Sequence, residues 1–133
     1  MTSEQNVGWI LNNTSAITAI VSNRIYSGLR PGGTIVPSIN YFSIDDNVYS
    51  GINSEVFSLN CRASSISVSK SLAKKVMHVF IGTSETGMYG VNNNFTVARM
   101  SLNSPLRTIP EPDDGIYNTP VDIRFVYFSD QET

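Results

Sequence analysis

The 133-residue chain holds one cysteine and one histidine, and each shortage excludes chemistry. Cys61 alone rules out an internal disulfide and any zinc site built on several cysteines. It stands in the alternating segment Phe57-Ser58-Leu59-Asn60-Cys61, where it reads as a small buried hydrophobe, with no basic cluster in sequence to activate its thiol. His78 alone excludes a two-histidine metal site and weakens any Ser–His or Cys–His nucleophile. It falls on the polar side of a helical segment near Lys74 and Lys75, as a solvated residue does. Charge is scarce as well: charged residues make up 15% of the chain, against roughly 25% in an average soluble domain. Ser, Asn and Thr fill the gap, giving a polar, largely neutral surface suited to meeting other protein. Nine basic against eleven acidic residues give a net charge of −2, which argues against the basic stripe of a general nucleic-acid binder. No apolar run is long enough to span a membrane, and no basic-then-apolar leader opens the chain. The expectation is a protein made and kept in a cytoplasm, in which the Asn-x-Thr triplets at Asn12 and Asn94 are chance matches. What is present suffices for a packed core, with 41% hydrophobic and 10% aromatic residues. The length fits one domain over residues 1–133.

Periodicity divides that domain. From Glu4 to Ser22 the pattern is helical, with Trp9, Ile10, Ile17, Ile20 and Val21 on one side. Asn12-Asn13-Thr14-Ser15 interrupts it, and Thr14 or Ser15 is placed to cap a second short helix, so the element is expected kinked or split. Gly28 to Pro37 reads as a loop. Ser38–Ile44 and Asn53–Arg62 alternate as neighbouring antiparallel strands, joined through a turn region over Asp45–Gly51. Ser67–Ile81 is the clearest helix: Val68, Leu72, Val76 and Val79 share one arc, Lys70, Ser71, Lys74 and His78 the other, with Ser67 as N-cap and Gly82 as stop. Gly82–Asn94 reads as loop and Phe95–Leu102 as a strand. Asn103–Asn118 reads as a proline-rich connection with a turn at Asp113-Asp114-Gly115. Thr119–Phe128 closes the chain's pattern with Val121, Ile123, Phe125 and Tyr127 on one face. The expected fold is α+β and loop-rich: a mainly antiparallel sheet of about four strands with two helices packed on one face.

No segment carries a catalytic signature. Asp45-Asp46 and Glu111/Asp113/Asp114 lie in apparent turns, where Asp is favoured for its local backbone bonds, and neither has calcium-loop spacing. Gly82-Thr83-Ser84-Glu85-Thr86-Gly87 lacks the Lys-Ser/Thr of a phosphate loop and follows a helix instead of a strand. Arg30, beside Pro31-Gly32-Gly33, reads as a solvated loop residue. Basic residues interleaved with aromatics, the mark of a single-strand binding face, do not cluster. The expectation is a non-enzyme without cofactor or metal.

An ordered set of features does resemble that of a known family. Ala16-Ile17-Thr18-Ala19-Ile20-Val21 leads into Arg24-Ile25-Tyr26, a Gly/Pro loop and the proline-led strand Pro37-Ser38-Ile39-Asn40-Tyr41. The strand Glu55–Arg62 and the helix Ser67–Ile81 follow. Glu111-Pro112-Asp113-Asp114-Gly115-Ile116-Tyr117-Asn118 then precedes Val121-Asp122-Ile123-Arg124-Phe125. Over residues 14–128 this order resembles the small tail-completion proteins of tailed bacteriophages and prophages, also described as tail-terminator or tail-to-head joining proteins. The chain departs from them in having less alanine along its second helix and more Asn and Ser in Gly82–Asn94. The resemblance implies a virion structural protein, with no catalytic residue to carry over. It would cap the tail tube as a six-membered ring in the neck, assembled in the host cytoplasm. Its partners would be further copies of itself, the tail tube protein and the head connector, with DNA only as passing cargo and no membrane. A ring closed by one repeated interface needs two different patches on each subunit. From loop position and exposure the candidate assembly residues are Arg30, Asp45, Asp46, Tyr49, Arg107, Asp113 and Asp114. The competing readings are a head-side neck or connector-completion protein, another minor tail protein, a cytoplasmic assembly chaperone or binding module outside the particle, and a small hydrolase, which the lone histidine and the missing nucleophile motif disfavour.

Overall fold

In the computed structural model of the chain, residues 2–29, 35–49, 51–81, 90–92, 95–112 and 115–128 are described. Among them are three helices, α1 (Ser3–Asn12), α2 (Ser15–Val21) and α3 (Ile66–Ile81). The strands are β1 (Ile25–Ser27), β2 (Ser38–Tyr49), β3 (Ile52–Ala63), β4 (Gly90–Asn92), β5 (Phe95–Leu102), β6 (Ile109–Glu111) and β7 (Ile116–Phe128).

The local sequence writes both ends of α1. Thr2 and Gln5 form a reciprocal capping box: the Thr2 hydroxyl accepts from the Gln5 N–H, and the Gln5 side chain accepts from the Thr2 N–H. At the other end three successive side chains fold back onto the last turn. Asn12 Nδ2 donates to the Gly8 carbonyl and Asn13 Nδ2 to the Trp9 carbonyl, both at 2.8 Å, and Thr14 Oγ1 donates to the Ile10 carbonyl at 2.7 Å. These side chains compete with the next helical turn for the free carbonyls, so the helix stops and α2 starts afresh. The predicted helix Glu4–Ser22 is therefore two helices. Thr14 does stand at the α2 N-cap position, but its hydroxyl closes α1 and makes no cap bond to α2. At α3 the cap is Ser65, whose Oγ accepts from the Val68 N–H at 3.3 Å; Ser67, expected there, lies inside the first turn.

The sheet runs β1-β2-β3-β7-β5-β4, with β6 paired separately to β7. Among the described strands only β1–β2 is parallel; every other pairing is antiparallel. The expected four strands correspond to β2, β3, β5 and β7, and three short strands add to them. The predicted turn region Asp45–Gly51 is mostly strand: β2 continues to Tyr49, and a bulge between Ser43 and Asp45 shifts the register so that Asp45 faces Val56. Cross-strand pairing along β3 overrides the local turn preference of Asp-Asp-Asn. Gly51, at φ +79°, takes the left-handed conformation in the connection, which glycine adopts without steric cost.

All three helices lie on one face. Val7, Leu11, Ile17 and Val21 from α1 and α2, with Leu72, Val76 and Phe80 from α3, are fully buried against Ile39, Leu59, Val121 and Ile123. At the centre Phe125 stacks at a tilt on Phe57 (centroids 5.4 Å apart) and on Phe80 (5.8 Å). Gly8 lets α1 approach β2, since a Cβ there would run into the Tyr41 hydroxyl. Strands β2 and β3 are 12 residues each, about 40 Å long, whereas the 16 residues of α3 span about 24 Å. The β2–β3 hairpin outruns that helix, and Val48 (57% exposed) and Ile52 (44%) sit at its end.

The core also holds a carboxylate. Glu55, on the helix-facing side of β3, accepts hydrogen bonds from the hydroxyl of Ser3, the first residue of α1, and from Tyr127 Oη at 2.7 Å. Asn53 Nδ2 donates to the same Tyr127 oxygen at 2.8 Å. The positive end of the α1 dipole favours the negative charge at this place. Burial is the main cause that pushes the Tyr127 phenol up from its ordinary pKa.

Two substitutions test this description by urea unfolding. Phe125→Ala empties the centre of the aromatic cluster and is expected to cost about 3–5 kcal/mol. Tyr127→Phe keeps the shape but removes a donor to Glu55 and the acceptor of Asn53, with an expected cost of about 1–3 kcal/mol.

Candidate assembly surfaces

The sheet face away from the helices is polar and laced by two arginines. Register places Asn40 of β2, Ser54, Ser58, Asn60 and Arg62 of β3, and Asn118, Asp122 and Arg124 of β7 on this side. Arg62 reaches across strands, with Nε on Glu111 Oε1 at 2.9 Å and Nη1 on Asn40 Oδ1. Arg124 spans further: Nη1 donates to Ser54 Oγ at 2.5 Å, Nε to Asn103 Oδ1 at 3.3 Å, and Nη2 lies 3.7 Å from Asp45 Oδ2. Asn118 Nδ2 donates to Asn60 Oδ1 at 2.9 Å, and Ser104 Oγ to Asp122 Oδ2 at 3.0 Å. The small amide and hydroxyl side chains beneath are buried although none of the described helices covers this face. Such a surface tiles polar groups against one another and offers no nucleophile beside a base.

The second surface is the arm formed by the far half of β2. Strand β1 pairs only with Ile39–Tyr41, so from Phe42 to Tyr49 the outer edge of β2 has no strand partner among the described residues. An open edge invites indiscriminate pairing, and a bulge with charged side chains blunts it. Asp45 and Asp46, both exposed, stand just past the bulge. Exposed Ile44, Val48, Ile52 and Phe128 lie around the same arm, Phe128 directly across from Ile52.

Three of the sequence candidates thus come together: Asp45, Asp46 and Tyr49 all belong to this arm, although in strand and not in a turn. Arg107 is exposed before β6, which pairs with residues 116–118 of β7, so it stands at the opposite end of the sheet from the arm. Arg30, Asp113 and Asp114 lie outside the described residues. Glu111, read as part of a carboxylate cluster, is the ion-pair partner of Arg62. Among the described residues no group of three or more His, Cys, Asp or Glu side chains is arranged to hold a metal ion. Cys61 is fully buried, and that burial pushes its thiol up and disfavours the thiolate.

Sequence reading passed over a third surface, the outer face of α3. Lys70, Lys74, Lys75 and His78 are exposed along it, and they are all the lysines and the only histidine of the chain. The helix contains no acid, and no described acid pairs with these residues. A hollow of about 530 Å³ opens between α2 and α3, lined by Ala16, Ser67, Ser71, Lys74, Lys75, His78 and Val79. A smaller one of about 220 Å³ lies on the other flank, lined by Lys70, Lys74, Leu106, Thr108 and Thr119. The spacing of these residues at i, i+4, i+5 and i+8 was visible in the sequence as a polar face; the hollows beside it were not.

No protein-family model matches the chain, and no curated protein matches it. Among solved structures, a chain from the virion of a native gene transfer agent particle superposes with a TM-score of 0.67. The match covers 95% of this chain and 94% of the other at 13% sequence identity. The two chains share a fold over nearly their whole lengths.

Stability and assembly are expected to separate on the described surfaces. Arg62→Ala strips partners from Asn40 and Glu111 and should lower unfolding stability by about 1–3 kcal/mol. Asp45→Ala removes only a long, exposed ion pair and should cost less than about 1 kcal/mol by the same urea titration.

Proposed function

We propose that this chain is a non-enzymatic structural protein of a phage-like particle, forming a ring at the head-proximal end of the tail tube and joining tail to head. The observation that carries the reading is the shared fold with a chain of the gene transfer agent virion, nearly end to end at a TM-score of 0.67. The motif segments of the resemblance also meet in space. Ile25-Tyr26-Ser27 lies in parallel register with Ile39-Asn40-Tyr41, and Arg24 Nε donates to the Pro37 carbonyl at 2.8 Å. Glu111 and the Ile116-Tyr117-Asn118 step pair as β6 and β7 beside the end of β3. Segments scattered along the sequence therefore build two corners of one sheet.

In this reading the partners are further copies of the chain, closing a hexamer, with the tube protein below and the head connector above. DNA passes through without being gripped. The tiled polar sheet face and the overhanging β2 arm suit such a role, because both present formed surface without a reactive group.

Electron microscopy of particles made with the gene disrupted, then complemented, tests the proposal. The expected result is tails of uncontrolled length lying apart from filled heads, rescued by the intact gene, with the protein found in purified particles by mass spectrometry. Normally joined particles that lack the protein would overturn it in favour of a chaperone or binding module. Normal-length tails beside leaky heads would move the protein to the head side of the neck.

A further inference from the structure

The α3 face gathers all three lysines of a chain whose net charge is −2. Its lysines are long, exposed and without acidic partners among the described residues, and Lys74 lines the hollows on both flanks of the helix. The floor of the larger hollow includes the apolar Ala16 and Val79. What would fit is an exposed, extended element that carries acids beside apolar side chains.

The chain itself displays one. The β2 arm bears Asp45 and Asp46 next to Ile44 and Val48, each of the two apolar residues half-exposed or more. Beyond Tyr41 the outer edge of this arm has no strand partner among the described residues. The two surfaces belong to different layers, the arm to the sheet and the lysines to the outer side of the helices, so the match is heterologous: one copy offers the arm and the next receives it. A duplex nucleic acid is the weaker fit. Three lysines on a net-acidic chain give little long-range attraction for phosphates, while a small acidic arm needs no more than two or three cations.

We infer that the basic face of α3 receives the acidic β2 arm of a second copy of this chain, with Lys74 and Lys75 facing Asp45 and Asp46. The inference deepens the ring reading and rests on it in one respect, that copies of the chain associate. The two surfaces would be the donor and acceptor patches that any ring with a single repeated interface requires.

Charge exchange between two variants tests this on the whole protein, by sedimentation velocity over a concentration series and by native mass spectrometry. One variant carries Lys74→Glu and Lys75→Glu, the other Asp45→Lys and Asp46→Lys, each checked for wild-type circular dichroism and melting. Like charges now face each other in either variant alone, and association should weaken about tenfold or more. An equimolar mixture places every reversed groove against a reversed arm and every native groove against a native arm, so association should return. Carbodiimide coupling of wild-type copies, one isotopically labelled, is expected to link Lys74 or Lys75 of one copy to Asp45 or Asp46 of the other. This readout stands even where a variant fails to fold.

Wild-type association that neither variant weakens would overturn the inference and leave the ring reading in place. So would a mixture that fails to recover, or couplings that map elsewhere. Loss of binding to a short DNA duplex by the lysine variant, with self-association intact, would assign the face to nucleic acid instead. A wild-type chain monomeric at millimolar concentration, yielding no intermolecular couplings, would remove both this inference and its premise.

Discussion

The pairing of β3 with β7 is the constraint on which the rest of the molecule depends. Ile52 through Ala63 run against Phe128 through Tyr117 without a break in register. Side chains alternate strictly, so this one register decides which residues meet the helices and which meet the arginines; a slip by one position would exchange the two sets. Phe57, Leu59 and Cys61 face inward only because Val56, Ser58 and Asn60 face outward. Helix α3 packs over these two strands, β2 and β5 flank them, and β6 adds a short third neighbour to β7.

Polar groups reinforce that choice on both sides. Inside, Glu55 is satisfied by Ser3 and Tyr127, so only the native register brings its carboxylate to the N-terminus of α1. Outside, Arg62 and Arg124 hold partners on β2, β3, β6 and the connection after β5, contacts that a shifted strand would lose together. Hydrophobic burial supplies the driving force for collapse, and the buried hydrogen bonds penalise the near-alternatives. Among the candidates for assembly, Asp45 is tied into this lattice only by a long contact to Arg124, which leaves it available for a second role.

Much of this was legible in the residues. Alternation located β2, β3, β5 and β7, and the 3.6 period located α3 and the split stretch before residue 22. The short β1 and β6 escaped because three residues carry no period; only their partners make them strands. Asp45-Asp46-Asn47 was misread as a turn because local preference points that way, while the pairing that overrides it comes from residues 54–56. Val68, placed in the apolar arc of its helix, is 40% exposed. For the site, sequence could nominate exposed acids but could not show that Asp45, Asp46 and Tyr49 share one arm or that Arg107 stands far from it. Nor does any pattern in a single helix announce the hollows on either side of Lys74, since these are made by α2 and by residues 106–119.

The position of β7 in the chain has a consequence for how the molecule comes into being. Strand β3 ends at Ala63 and its partner begins only at Ile116, so α3, β4, β5 and β6 are all synthesised while β3 has a neighbour on one side alone. During that interval Phe57 and Leu59 can be sheltered by α3 and by the β2 hairpin, whose contacts are local, but the sheet has no centre. Closing it means joining segments far apart in sequence, the kind of step that slows folding most. A chain stalled before residue 116 would expose the inner edge of β3 along its full length, with no bulge in that register to discourage a stray strand.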